Sequence, residues 1–107
     1  MKFAAVLSVL ILGLSSSAFA LREIVIVAKD GKFAPDMVEL AVDEKVELLV
    51  KNEGTDAEEF ESIELHREKV IPPGKSARIK IGPLKAGTYI FFGEFHPETA
   101  KGKIIVK

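Results

Sequence analysis

Three residues in one short segment carry side chains that can ligate a metal: Glu94, His96 and Glu98. Carboxylate oxygen and imidazole nitrogen suit Cu(II), Fe and Zn, and Mn less well. A second concentration lies upstream, where Glu58, Glu59, Glu61, Glu64 and His66 fall within nine residues. Glu58-x-x-Glu61 and Glu61-x-x-Glu64 have carboxylate spacings of the kind found in iron-binding segments. On a strand, residues three apart face opposite sides, so these pairs chelate only where the strand ends or turns. His66, set among acids, offers a second imidazole. There is no cysteine in the 107 residues, so no thiolate is available for copper or an iron–sulfur cluster, and no disulfide can form. Two histidines support no defensible Ser/His/Asp arrangement, and no glycine-rich phosphate loop is present. With a formal charge of −1 and lysines alternating with acids along the chain, nothing points to nucleic acid.

The elements that must position these residues are short strands. Residues 87–106 read as a strand over 88–92, a short acidic loop carrying His96, and a closing strand over 103–106. Upstream, residues 23–28 are β-branched, Asp30-Gly31 marks a turn, and Val38, Leu40 and Val42 share one face of a strand over 37–42. In residues 45–52, Val46, Leu48 and Val50 face inward and Glu47 and Lys51 outward, while Leu49 breaks the polar side. Ala77, Ile79 and Ile81 alternate with Arg78 and Lys80. Residues 64–69 fit either a helical turn or an irregular loop, ended by Pro72-Pro73. Seven short strands separated by turn signals predict an all-β, two-layer antiparallel sandwich with Greek-key connections.

Within that pattern Phe60 anchors residues 58–63. Glu58 has its parity and points inward, while Glu59 and Glu61 point out as a solvated face. An inward carboxylate needs a metal, a cation such as Arg67 or Lys69, or a proton. The N-terminal 20 residues read as a secretory leader: Lys2, an apolar run from Phe3 to Leu14, and Ala18-Phe19-Ala20 as the cleavage site. Residues 21–107 then form one domain, exported and, in a two-membrane cell, periplasmic.

The order Phe33-x-Pro35, Asn52, Glu59-Phe60, Pro73-Gly74, Gly87-x-Tyr89-x-Phe91, His96 and Lys101-Gly102 resembles a small bacterial cupredoxin across the whole mature chain. By that resemblance the family's first copper histidine falls at Glu58, its cysteine at Gly93, its second histidine at His96, and its axial methionine at Ala100. One ligand of four is kept, which excludes a blue-copper centre. The elements Glu58–Ser62, 67–70, 72–74, 81–84 and 91–96 further resemble the cysteine-free cupredoxin-like proteins of bacterial iron-uptake systems. That resemblance implies a bound copper or iron ion, with Glu58, His96, Glu94, Glu61 and His66 as candidate ligands. It also implies an iron permease and other periplasmic iron-uptake components as partners, with metal capture, handover or iron oxidation as the task. Two other expectations stand beside it: a metal-free sandwich that binds a partner through its acidic end, and a copper or electron-transfer protein unrelated to iron.

Overall fold

The computed structural model describes residues 21–107; the leader expected at 1–20 lies outside the described residues. Nine strands follow one another: β1 (Arg22–Lys29), β2 (Lys32–Ala34), β3 (Met37–Leu40), β4 (Val46–Asn52), β5 (Glu58–Ser62), β6 (Arg67–Ile71), β7 (Ser76–Ile81), β8 (Gly87–Phe92) and β9 (Lys101–Val106). They form two sheets, one ordered β2-β1-β4-β7 and the other β3-β9-β8-β5-β6. The all-β sandwich is therefore as the sequence predicts, with two more strands.

Both additional strands have a local cause. Asp30 and Gly31 each adopt positive φ (54° and 70°), the combination a tight two-residue hairpin needs. That turn folds Lys32–Ala34 back onto β1 as β2. β6 occupies part of the segment that the sequence leaves between helical turn and loop. As an edge strand it is exposed at four of its five positions, so it shows no alternation, and its pairing with β5 alone defines it. The strand expected over 37–42 stops at Leu40, and Val42 is exposed. Its end is fixed by the Glu44 side chain, which accepts a hydrogen bond from Ala41 N at 3.0 Å.

The expectation of antiparallel pairing throughout also needs correction. β1 runs parallel to β4, and β3 parallel to β9. Between β1 and β4 the chain visits the opposite sheet as β3, and such a crossover returns a strand in its original direction.

Between the sheets lies one apolar core in which Ile26, Val46, Leu48, Val50, Phe60, Phe91 and Ile104 are fully buried. Phe60 and Phe91 stack at 5.0 Å between ring centroids, and Phe33 meets both edge-on at 5.5–6.0 Å. This aromatic trio joins β2, β5 and β8, the strands that lead to the candidate ligands. Leu49, on the outer face, is covered beside Val25 and Arg78 in the same sheet.

Buried Asn52 closes one end of the sandwich. Its Nδ2 donates to Asp56 O and Ile71 O at 2.8 and 2.9 Å, and its Oδ1 accepts from Gly54 N at 2.9 Å. One side chain thus fixes the loop that leads into Glu58. Asn52→Ala should cost about 2–3 kcal/mol, because it leaves a buried backbone carbonyl without its donor; urea unfolding of the mature protein measures it.

Candidate metal centre

β5 sends carboxylates to both of its faces. Glu58 follows Phe60 inward and is 4% exposed. Its Oε2 lies 2.6 Å from His96 Nδ1, and its Oε1 accepts from Glu59 N at 3.0 Å. The inward carboxylate therefore finds a histidine, not Arg67, which donates to the backbone carbonyls of Lys80 and Leu65. His96 is presented by a compact loop in which Gly93 N donates to Ala100 O at 2.8 Å and His96 N to Gly93 O at 3.1 Å. The hairpin turn supports the ring. A Cβ on Gly31 would lie 3.1 Å from His96 Cγ and Cδ2, and Thr99 Oγ1 donates to Gly31 O. The pair opens on a cleft of about 150 Å³, whose other acids are Asp30 and Asp56.

Gly93 explains the closeness of this packing. A Cβ there would come within 2.6 Å of Glu58 Oε1 and 2.9 Å of Glu59 O. The Glu58 carboxylate thus occupies the place that a side chain at position 93 would take. Ala100 is fully buried and offers no donor. A blue-copper ion does not fit this site, since thiolate and thioether are both missing and the space for the first is filled. The pair can still present an imidazole. When the carboxylate accepts from Nδ1–H, the free lone pair of the ring is on Nε2, the usual arrangement of a metal-ligating histidine held by an acid. The His96 side chain is 38% exposed, so solvent metal can reach the ring.

The outward face of β5 carries a second group. Glu59 and Glu61 point away from the core, Glu68 stands opposite Glu61 on β6, and Glu94 follows β8. One carboxylate oxygen from each lies within 4.8 Å of the others. Oxygens on opposite sides of one divalent ion stand about 4–5 Å apart, twice a metal–oxygen bond of about 2.0–2.6 Å, so the four can converge on one cation. Glu59 is not the solvated residue its parity predicts. It is 2% exposed, and its Oε1 accepts from Glu94 N at 2.9 Å. Burial, together with Glu68 and Glu61 nearby, pushes its pKa up to about 7, against the lowering effect of that backbone hydrogen bond.

The five candidate ligands are accordingly divided. Glu58 and His96 meet at the cleft, whereas Glu61 and Glu94 meet on the outer face with Glu59 and Glu68. His66 joins neither: it sits exposed, with φ of 55°, in the turn after β5, and β5 alone separates it from Glu58 by about 13 Å. Sequence reasoning missed Glu59 and Glu68 as members of a cluster. Glu59 shares the parity of Glu61, which was a usable signal, but Glu68 is placed only by the β5–β6 register.

Gly93→Ala should destabilise the fold by about 1–3 kcal/mol, since Glu59 O is backbone and cannot step aside; chemical denaturation measures it. Glu59 gives a pH dependence. A carboxyl whose folded pKa is raised stabilises the fold below its unfolded value near 4.5, and that contribution is lost as pH rises to about 7. Glu59→Gln, melted from pH 4.5 to 8, should reduce that decline and gain most in stability at the alkaline end.

Comparison with known proteins agrees with this architecture. Residues 2–106 match the family model described as a cupredoxin-like domain. An uncharacterised protein of Rickettsia prowazekii (strain Madrid E) is 48% identical over 84 residues, covering 78% of this chain and 67% of the relative. Among solved structures, auracyanin A, a "blue" copper protein from Chloroflexus aurantiacus, superposes with a TM-score of 0.70 at 12% identity, covering 82% of this chain and all of that one. The metal-binding domain of a Cu(I)-exporting P-type ATPase from Streptococcus pneumoniae D39, solved with Cu(I), gives 0.67 at 20% identity over 79% and 84%. Amicyanin from Paracoccus versutus gives 0.63 at 16% over 85% and 87%. At these identities the structural likeness speaks to the fold alone, and the family match covers nearly the whole sequence: the chain belongs to the cupredoxin-like domain family.

Proposed function

We propose that this protein is a metal-binding module of iron import, taking up an iron ion at Glu59, Glu61, Glu68 and Glu94 and passing it to a membrane permease. The observation that carries the reading is Glu59: a carboxylate 2% exposed, directed into three other carboxylates, with no cation beside it among the described residues. Such a group is costly unless protonated or met by a positive ion. Oxygen-only donors are hard and can hold an iron ion, but they do not by themselves select Fe(II) over Cu(II), so the choice of iron rests on the resemblance to iron-uptake proteins. Glu68 and Glu94 are exposed, so a captured ion remains open to a receiving protein. The leader at 1–20 supports a periplasmic setting, where a permease and other iron-uptake components would be the partners.

His96, held by Glu58, is the soft-metal side of the same reading: its imidazole suits Cu(II), and the copper proteins that share the fold support copper here. A copper protein unrelated to iron is the second reading, favoured by that histidine alone. Iron oxidation by this protein acting alone is not proposed, because reducing dioxygen to water takes four electrons and neither site stores them.

Anaerobic calorimetry with Fe(II) should show one ion bound per chain, weakened at least about tenfold by Glu61→Gln with Glu94→Gln, as loss of two charged ligands requires. Cu(II) binding at the cleft should be lost in His96→Ala and weaken about 10–100-fold in Glu58→Gln, the usual cost of losing the partner that orients a histidine ligand. Absence of heat with either metal would sink the metal reading. An unchanged rate of iron uptake in cells lacking the protein would sink the transport role and leave metal binding standing.

A further inference from the structure

The outer faces of the two sheets treat their charges differently. On the β2-β1-β4-β7 sheet, Arg78 pairs with Glu23 at 2.7 Å and with Glu47 at 2.9 Å, so opposite charges are interleaved and satisfied within the chain. On the β3-β9-β8-β5-β6 sheet the charges flanking β8 are sorted by side, whereas beyond β9 Glu39 on β3 is paired with Lys107. Lys101 and Lys103 lie on β9, and Glu59, Glu61 and Glu68 on β5 and β6. Among the described residues none of these five forms an ion pair. Between the two halves runs β8, which turns Ile90 and Phe92 outward. With Met37 and Pro97 they form the apolar part of a groove of about 650 Å³ on the β9 side of β8, whose polar lining is Asp36, Lys101 and Lys103; Ile90 and Met37 are each 47% exposed.

The register gives this sorting a consequence. In one row across the sheet, Phe92 is paired with Lys101 on one side and with Glu61 on the other. Each neighbour stands one strand spacing, about 4.8 Å, from Phe92. A two-fold axis lying in an interface and running along β8 exchanges the two sides of the sheet. It therefore sets Lys101 of one copy over Glu61 of the other, and the reverse, while the apolar stripe of Ile90 and Phe92 meets itself on the axis. An isologous contact must be complementary to itself in this way. A two-fold axis across the strands would instead oppose lysine to lysine.

We propose that two copies of this chain associate face to face through the outer surface of the β3-β9-β8-β5-β6 sheet, with Lys101 and Glu61 exchanged across a two-fold axis along β8. The contact is wet and charged at its edges and apolar at its centre, as protein interfaces commonly are. It does not rest on metal binding: it covers the face that carries Glu59, Glu61, Glu68 and Glu94, so the metal-free dimer and the metal-loaded chain open to a receiving protein are alternative states. The second copy's lysine supplies the positive charge that the carboxylates on β5 and β6 lack within their own chain.

Sedimentation velocity on the mature protein, with EDTA present to remove metal, tests this directly. At tens of micromolar and low salt a dimer is expected, and raising salt to about 0.5 M should weaken it, since the exposed pairs are then screened. Lys101→Glu and Glu61→Lys should each raise the dimer dissociation constant at least about tenfold, because one substitution acts twice across a two-fold axis. The double variant Lys101→Glu/Glu61→Lys restores opposite charges across the axis and should recover the dimer, which separates the proposal from a variant that misfolds. A monomer at every concentration, a dimer indifferent to both reversals, or a double variant that folds but stays monomeric overturns the proposal.

Discussion

The contact on which the site depends is the one between the Glu58 carboxylate, the Cα of Gly93 and the imidazole of His96. It brings together the start of β5, the end of β8 and the loop between β8 and β9. It exists because position 93 has no side chain: even a methyl group would stand 2.6 Å from a carboxylate oxygen. The acid removed from water there is compensated by the 2.6 Å contact with His96 and the 3.0 Å hydrogen bond from Glu59 N. A buried charge is retained where it is paired and hydrogen-bonded. Glycine, glutamate and histidine at these places form one interlocked set, and the chemistry they leave is that of an oriented imidazole.

β5 also links this end of the sandwich to its outer surface. Period-2 alternation sends Glu58, Phe60 and Ser62 inward and Glu59 and Glu61 outward, so five residues serve the core, the cleft and the four-carboxylate cluster together. β5 meets β8 at one residue pair, Glu61 and Phe92. Beyond that pair the chain after β8 is free to fold over Glu59 and bury it through the Glu94 backbone. The raised pKa of Glu59 follows first from this burial, and then from Glu68 and Glu61, which the strand register sets beside it.

Much of the fold was legible because the strands follow elementary patterns. The inward residues of β4 and β7 alternate cleanly, Asp30-Gly31 announces a turn, and Pro72-Pro73 ends the segment that follows β5. β6 was not legible, because an edge strand with nearly every side chain in solvent carries no hydrophobic period. The parallel pairs were not legible either, since no local pattern tells a strand which sheet its predecessor visited. In the site, the inward direction of Glu58 and its meeting with His96 followed from parity and from the resemblance. The separation of Glu61 and Glu94 from that pair, and the isolation of His66, required the register.

By itself the sequence determined the donor chemistry. A chain with no cysteine, two histidines and sixteen acids can offer a metal oxygen and imidazole, and cannot build a thiolate centre in any conformation. It also determined that β5 would place acids on both faces, because a two-residue period is a property of the extended backbone. Only the tertiary structure decided which acids act together. Glu59, Glu61, Glu68 and Glu94 become neighbours through the pairing of β5 with β6 and β8, a matter of register between strands that no single strand encodes. The same pairing placed Lys101 and Glu61 on opposite sides of Phe92, because which charges flank a strand depends on strand order and register.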